Sequence, residues 1–108
     1  MSTFRSIDEV TIEELEGHEV IDPKEQKIGI IGKVFADDAG RPEWVTVKTG
    51  LLGGKPRFVP LRGAEVSKTS LHVAYGKDAV DNAPHHDAHA DVLSEDQERE
   101  LQRYYELT

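Results

Sequence analysis

Cysteine is absent from this 108-residue chain. That excludes a disulfide scaffold and any thiolate metal site. No apolar run approaches the ~18 residues that a membrane-crossing helix needs. The opening residues, Met1-Ser2-Thr3-Phe4-Arg5-Ser6, lack the apolar stretch of a signal peptide, and no twin-arginine or lipid-anchor pattern is seen. The expected location is the cytoplasm, with no membrane insertion. Aromatic residues are scarce, seven in all: Phe4, Phe35, Trp44, Phe58, Tyr75, Tyr104 and Tyr105. Basic charge is scarce too. Thirteen Lys and Arg face 21 Asp and Glu, a net charge of −8, the reverse of a general nucleic-acid binder.

The charge that is present is unevenly placed. Residues 1–32 carry −5, residues 33–77 carry +4, residues 78–84 carry −2 and residues 85–108 carry −5. A basic middle lies between acidic ends. The simplest expectation is that the ends fold back on the middle with partly complementary surfaces. The alternative is a basic face offered to an acidic partner, although exposed pairs are weak and screened.

Local patterns give an order of elements. Thr11-Ile12-Glu13-Glu14 is a capping box with Val10 and Leu15 as its hydrophobic staple, predicting a short helix over 11–16 that Gly17 stops. Asp22-Pro23-Lys24-Glu25 reads as a turn. Lys27 to Ala36 reads as a long bending strand, with Ile28, Ile30 and Val34 on one face and Ile31 and Phe35 on the other. Gly29 and Gly32 mark close backbone approach or curvature. Asp37 to Pro42 is a hairpin loop, and Glu43 to Thr49 is a β-branched strand. Arg57 to Leu61 follows, with Pro60 restricting it to an edge or strand end. Ala64 to Val66 and Ser70 to Tyr75 are the last strands, joined by Ser67-Lys68-Thr69. One or two helical turns fit Gly76 to Ala83, before Pro84. Ser94 with Gln97 caps a final helix whose stripe is Leu101, Tyr104 and Tyr105. Such a short helix needs a surface to dock on.

The expected fold is mainly β: a small barrel of five or six strands with a short N-terminal and a C-terminal helix. Residues 1–16 would form the N-terminal segment, 17–84 the barrel, and 85–108 a polar loop and a helix packed on the barrel or on a second subunit.

Candidate chemistry is thin. Thr49-Gly50-Leu51-Leu52-Gly53-Gly54-Lys55-Pro56 resembles a phosphate loop but has Thr49 where glycine is needed and Pro56 where Ser or Thr is needed. Leu51 and Leu52 at a turn tip either tuck into the core or cover a neighbouring chain. His85, His86 and His89, with Asp87 and Asp91, are the metal-ligand candidates, but no fixed spacing presets a geometry, and a polar linker is the expected reading. Ser2, Ser6, Ser67, Ser70 and Ser94 lack an evident histidine partner, so no catalytic residue and no cofactor is expected. Trp44 opens a strand as a packing residue or an interface anchor.

Together these residues resemble a known family. Gly29-Ile30-Ile31-Gly32-Lys33-Val34, Gly40-Arg41-Pro42-Glu43-Trp44-Val45-Thr46-Val47-Lys48-Thr49-Gly50 and Arg57-Phe58-Val59-Pro60-Leu61 are similar to the PRC-barrel domain. Val73-Ala74-Tyr75, Lys77-Asp78-Ala79-Val80, Ala83-Pro84, Leu93-Ser94 and Tyr104-Tyr105 continue the likeness, which covers about residues 17–108. The resemblance is to short, free-standing bacterial members. Relatives by fold include the cytoplasmic part of the photosynthetic reaction-centre H subunit and a domain of a ribosome-maturation factor. It implies a small barrel acting as a protein-interaction module, with no catalytic residues to carry over.

The expected function is therefore a non-catalytic adaptor, homodimeric, with an unidentified protein partner. Leu51, Leu52, Trp44, Leu101, Tyr104 and Tyr105 are its interface candidates. The alternative is an RNA- or ribosome-associated accessory using Lys33, Arg41, Lys48, Lys55, Arg57 and Arg62. Nucleic-acid binding is disfavoured because the basic strands lack interleaved aromatic residues.

Overall fold

A computed structural model describes residues 4–48, 56–84 and 93–107. In chain order the elements are β1 (Arg5–Ser6), a 3-10 turn (Ile7–Glu9), α1 (Ile12–Leu15), β2 (Glu19–Ile21), β3 (Lys27–Ala36), β4 (Pro42–Lys48), β5 (Arg57–Pro60), β6 (Glu65–Val66), β7 (Ser70–His72), α2 (Lys77–Asp81) and α3 (Glu95–Tyr104). The strands form one sheet in the order β1-β6-β7-β2-β3-β4-β5. Neighbours are antiparallel except β2 and β7, which run parallel. The fold is mainly β and barrel-like, but the sheet does not close: β1 and β5 stand at its two ends. Seven strands replace the expected five or six. The extra one is β1, two polar residues whose strand character comes only from pairing with β6.

The sheet buries both faces along β3, β4 and β5, as strand alternation allows. Val45, Val47 and Val59 point into the larger core with Val20, Ile28, Ile31, Leu61, Val66 and Leu71. Each such fully buried side chain contributes roughly 1.5–3 kcal/mol. Trp44 and Phe58 point the other way, into a smaller core with Phe35, Leu101 and Tyr105. Cross-strand register matches this division: Val45 opposes Val59, while Trp44 opposes Pro60 and Phe35.

In β3 the structure corrects the sequence pattern. Ile28 and Ile31, three apart, both enter the larger core, while Ile30 is 43% exposed. Pairing with β2 steps from Gly29 to Lys27 and passes over Ile28, a bulge that brings Ile28 and Ile31 to one side; pairing with β4 jumps between Ile31 and Val34, a second bulge that shifts the residues after it. The buried Thr46 hydroxyl accepts from the Lys33 amide at 2.8 Å inside that bulge. Gly32 leaves room for this hydroxyl, since a Cβ there would lie 2.8 Å from Thr46 Oγ1. At Gly29 a Cβ would lie 2.0 Å from the Lys48 carbonyl oxygen, so β3 and β4 approach closer than any side chain permits.

The ends of the chain are tied in by local chemistry. Thr11 caps α1, accepting from the Glu14 amide at 3.3 Å. The Glu14 carboxylate, which a full capping box would return to Thr11, instead takes the Arg5 guanidinium. Val10 and Leu15 are both buried in the larger core, as a staple requires. Ser94 caps α3 in a complete box, each bond at 3.2 Å. The last strand ends at His72 rather than Tyr75; beyond it, the Val73 amide donates to the Ile21 carbonyl.

Asp22 carries a role that its turn reading missed. Its Oδ1 accepts from the amides of Lys24 at 2.9 Å and Gln26 at 2.8 Å, closing the turn. Its Oδ2 accepts from the Lys77 amide at 3.1 Å, capping α2 from 55 residues away. Gly76, the residue at the cap position, has no side chain to do this.

Candidate functional site

Four of the expected interface residues meet at the seam between α3 and the outer face of β3–β5. Leu101 is fully buried there, Trp44 is 2% exposed and Tyr105 is buried. Tyr104 is 36% exposed, and its hydroxyl donates to the Ala79 carbonyl. Spacings of three and four place Leu101 on one side of α3 with Tyr104 and Tyr105, as the stripe predicts. Rings pack around Tyr105: Trp44 at 6.2 Å, Tyr75 at 4.8 Å and Tyr104 at 4.9 Å between centroids. Phe35 and Phe58 stack at 5.4 Å beneath them. Trp44, Leu101 and Tyr105 thus join a helix to the barrel of the same chain, and the chain itself covers them. Leu51, Leu52, His85, His86 and His89 lie outside the described residues.

The seam also completes the edge of the sheet. Leu61 donates to the Glu43 carbonyl at 3.0 Å, which makes that pair a hydrogen-bonded one. Alternation along an antiparallel ladder then turns the Phe58 and Pro60 carbonyls outward, away from β4. Pro60 has no amide to leave unpaired on that edge. The Tyr105 hydroxyl donates to the Phe58 carbonyl at 2.6 Å. Its burial pushes the phenol well above its ordinary value, with the neighbouring tyrosines adding to this, so it stays a donor. A strand edge open to pairing is thereby covered by a helix.

Two clefts flank Glu43 and Trp44. One, of about 440 Å³, lies where the sheet fails to close, between Ile7 after β1 and Leu61-Arg62-Gly63 after β5; Gln102 and Leu107 border it. The other, of about 510 Å³, has a floor of Phe35, Trp44 and Leu93. Its walls hold Asp37, Asp38, Glu43, Glu95 and Glu98, with no basic side chain lining it among the described residues. Glu43 on β4 and Glu98 on α3 line this cleft from the two sides of the seam. Burial raises the Glu43 carboxyl above its ordinary value, and Glu98, Asp37 and Asp38 raise it further. The Trp44 indole N–H is buried there without a hydrogen-bond partner among the described residues.

This arrangement differs from the charge complementarity that the sequence suggests. The acidic C-terminal helix does fold back on the basic middle. Yet it lands beside the acidic members of that middle, because Leu101 and Tyr105 choose the apolar surface and the charges follow. The basic residues do not share one face. Lys33 and Lys48 are exposed, Lys48 in register with Ile30, whereas Arg41 and Arg62 border the first cleft. Arg41 pairs with Asp37 at 3.4 Å, and Arg57 reaches the Ala83 carbonyl at 3.5 Å. Lys55 is outside the described residues.

A histidine partner for serine, not evident in the sequence, is present in the fold. Ser70 Oγ lies 3.1 Å from His72 Nε2 and 2.7 Å from Ser67 Oγ. His18 Nε2 lies 3.1 Å from the Ser67 carbonyl, and the Phe4 ring meets His72 edge-on at 4.8 Å. Residues i and i+2 share a strand face, which is the signal that could have found the Ser70–His72 pair. Among the described residues no group of three or more His, Asp or Glu is arranged to hold a metal ion, and no helix is long and apolar enough to cross a membrane.

The family model of the PRC-barrel domain matches residues 7–80. The chain belongs to the PRC-barrel family. Comparison with curated proteins finds no match. In this PRC-barrel protein the matched residues run from the 3-10 turn to the penultimate residue of α2, and α3 lies beyond them. The seam therefore joins the family domain to an element that the family model does not include.

Proposed function

We propose that this PRC-barrel protein is a cytoplasmic, non-catalytic interaction module that acts as a homodimer. The family match over residues 7–80 carries the reading, because PRC-barrel domains serve generally as protein-interaction modules. Homodimerisation draws support from the outer face of β2–β4. There Ile30, 43% exposed, is registered between Glu19 and Lys48. An apolar side chain framed by opposite charges is complementary to itself across a two-fold axis. The absence of catalysis is supported by the Ser70–His72 pair, whose serine hydroxyl is already engaged by Ser67.

Sedimentation at micromolar concentration tests the dimer. A dimer that Ile30→Glu or Leu51→Asp dissociates is expected, and a monomeric wild type overturns that part. The RNA-associated reading draws less support. Phe35, Trp44, Phe58 and Tyr105 are buried and offer no stacking platform. Salt-sensitive RNA binding in a gel shift would revive it.

A further inference from the structure

We propose that the acidic cleft between the β3–β4 hairpin and α3 is a docking site for an arginine-bearing peptide segment of a partner protein. The guanidinium meets the carboxylate walls, and the arginine stem lies on the apolar floor. A carbonyl of the same peptide accepts from the Trp44 indole N–H. This gives the interaction module a partner chemistry, and it holds whether or not the chain dimerises.

Two independent observations carry it. The first is the shape and charge of the cleft. It encloses about 510 Å³, with Phe35, Trp44 and Leu93 beneath Asp37, Asp38, Glu43, Glu95 and Glu98. Arg41 pairs with Asp37, and Arg99 lies 3.9 Å from Glu95. No ion pair engages Asp38, Glu43 or Glu98 among the described residues. These three acids come from the hairpin, from β4 and from α3. Among the described residues no three acids are arranged to hold a metal ion. Spread carboxylates over an apolar floor suit a long side chain with a terminal cation better than a bare ion. Arginine suits them best, because its planar guanidinium stays charged and presents several donors to carboxylates.

The second observation is Trp44. Its side chain is 2% exposed and forms part of the floor, and its indole N–H has no acceptor among the described residues. Buried donors are nearly always paired, because an unpaired one has given up its bond to water for nothing. A metal ion or a simple amine brings no acceptor to this donor. A peptide does, since every residue carries a carbonyl beside its side chain. Leu93, Glu95 and Glu98 lie beyond the family-matched residues, so this cleft belongs to the chain's own extension of the family domain.

The chain has one tryptophan, so a nitrogen–proton correlation spectrum of the full chain carries one indole signal. Three probes are to be titrated: a blocked tripeptide with arginine between two alanines, the same peptide with norleucine for arginine, and calcium chloride alone. The arginine peptide should shift the indole proton downfield and saturate, and the norleucine peptide should leave it unmoved. Asp38 is exposed, Glu98 is half-buried, and neither belongs to a core. Asp38→Asn and Glu98→Gln should therefore fold, and each should weaken the arginine peptide by about three- to tenfold. No saturable shift at up to about 10 mM arginine peptide overturns the site. Equal shifts from the norleucine peptide overturn it too, as does binding that both variants leave unchanged. Calcium that displaces the arginine peptide makes the cleft a divalent-cation site and also overturns it. Sedimentation tests the dimer separately, so a failed titration removes this site and leaves the homodimer reading standing.

Discussion

Replacing Asp22 by alanine removes the acceptor of three backbone amides at once. Two of them, from Lys24 and Gln26, close the β2–β3 turn, and the third, from Lys77, opens α2. Each turn bond is worth about 1 kcal/mol and the lost helix cap about 1 kcal/mol more, so the cost is about 3 kcal/mol. With an unfolding entropy of about 2.1 cal/mol/K per residue, Tm should fall by about 13 °C. The pH dependence follows from the same geometry. Burial alone would raise the Asp22 carboxyl, but the bonds from Gln26, Lys77 and Lys24, with the Lys24 charge, outweigh it and hold the group below 3.8. Its contribution is therefore complete above the unfolded value and is lost as pH falls through the folded one. Asp22→Asn keeps an oxygen for the turn but carries no charge to titrate. It should lose this part of the acid sensitivity while costing less than alanine. Thermal melts by circular dichroism at neutral pH and about pH 3 supply both readings. A fall of under about 3 °C for Asp22→Ala would refute the three-bond account.

Gly29→Ala should be among the most damaging single changes, about 3 kcal/mol, because the new methyl meets the Lys48 carbonyl rather than a movable side chain; a chemical melt within about 1 kcal/mol of the wild type would refute the close approach. Tyr105→Phe should cost about 1–2 kcal/mol by removing the hydroxyl that donates to the Phe58 carbonyl, read as lost hydrogen-exchange protection over α3. Leu101→Ala should cost about 2–5 kcal/mol of α3 docking while leaving the larger core folded. Trp44 emission should then shift red before the sheet melts, and simultaneous loss of both signals would show that helix and barrel unfold as one unit.

Much of this fold was legible in the sequence because its signals are local. The caps at Thr11 and Ser94 and the hairpin at Asp37 to Pro42 each depend on residues within a few positions of one another. The β-branched run through Val45, Thr46 and Val47 also marks its strand locally. The same holds for Pro60, whose missing amide suits the outward edge where the sheet places it. The Leu101, Tyr104 and Tyr105 stripe announced a docking helix, though not its destination.

What the sequence by itself determined is therefore most of the elements, the family and the need for α3 to dock. Only the tertiary structure decided the rest. Ile28 joins Ile31 in the core and Ile30 points outward because a bulge at Ile28 in the pairing with β2 resets β3, a matter of pairing rather than of alternation. Asp22 caps α2 because the β2–β7 pairing brings distant segments together. Glu43 and Glu98 line one cleft because apolar burial positions the helix and the carboxylates are carried along. Charge counts along the chain predicted attraction between its ends and its middle. Packing, which fixes geometry first, put like charges around one cleft.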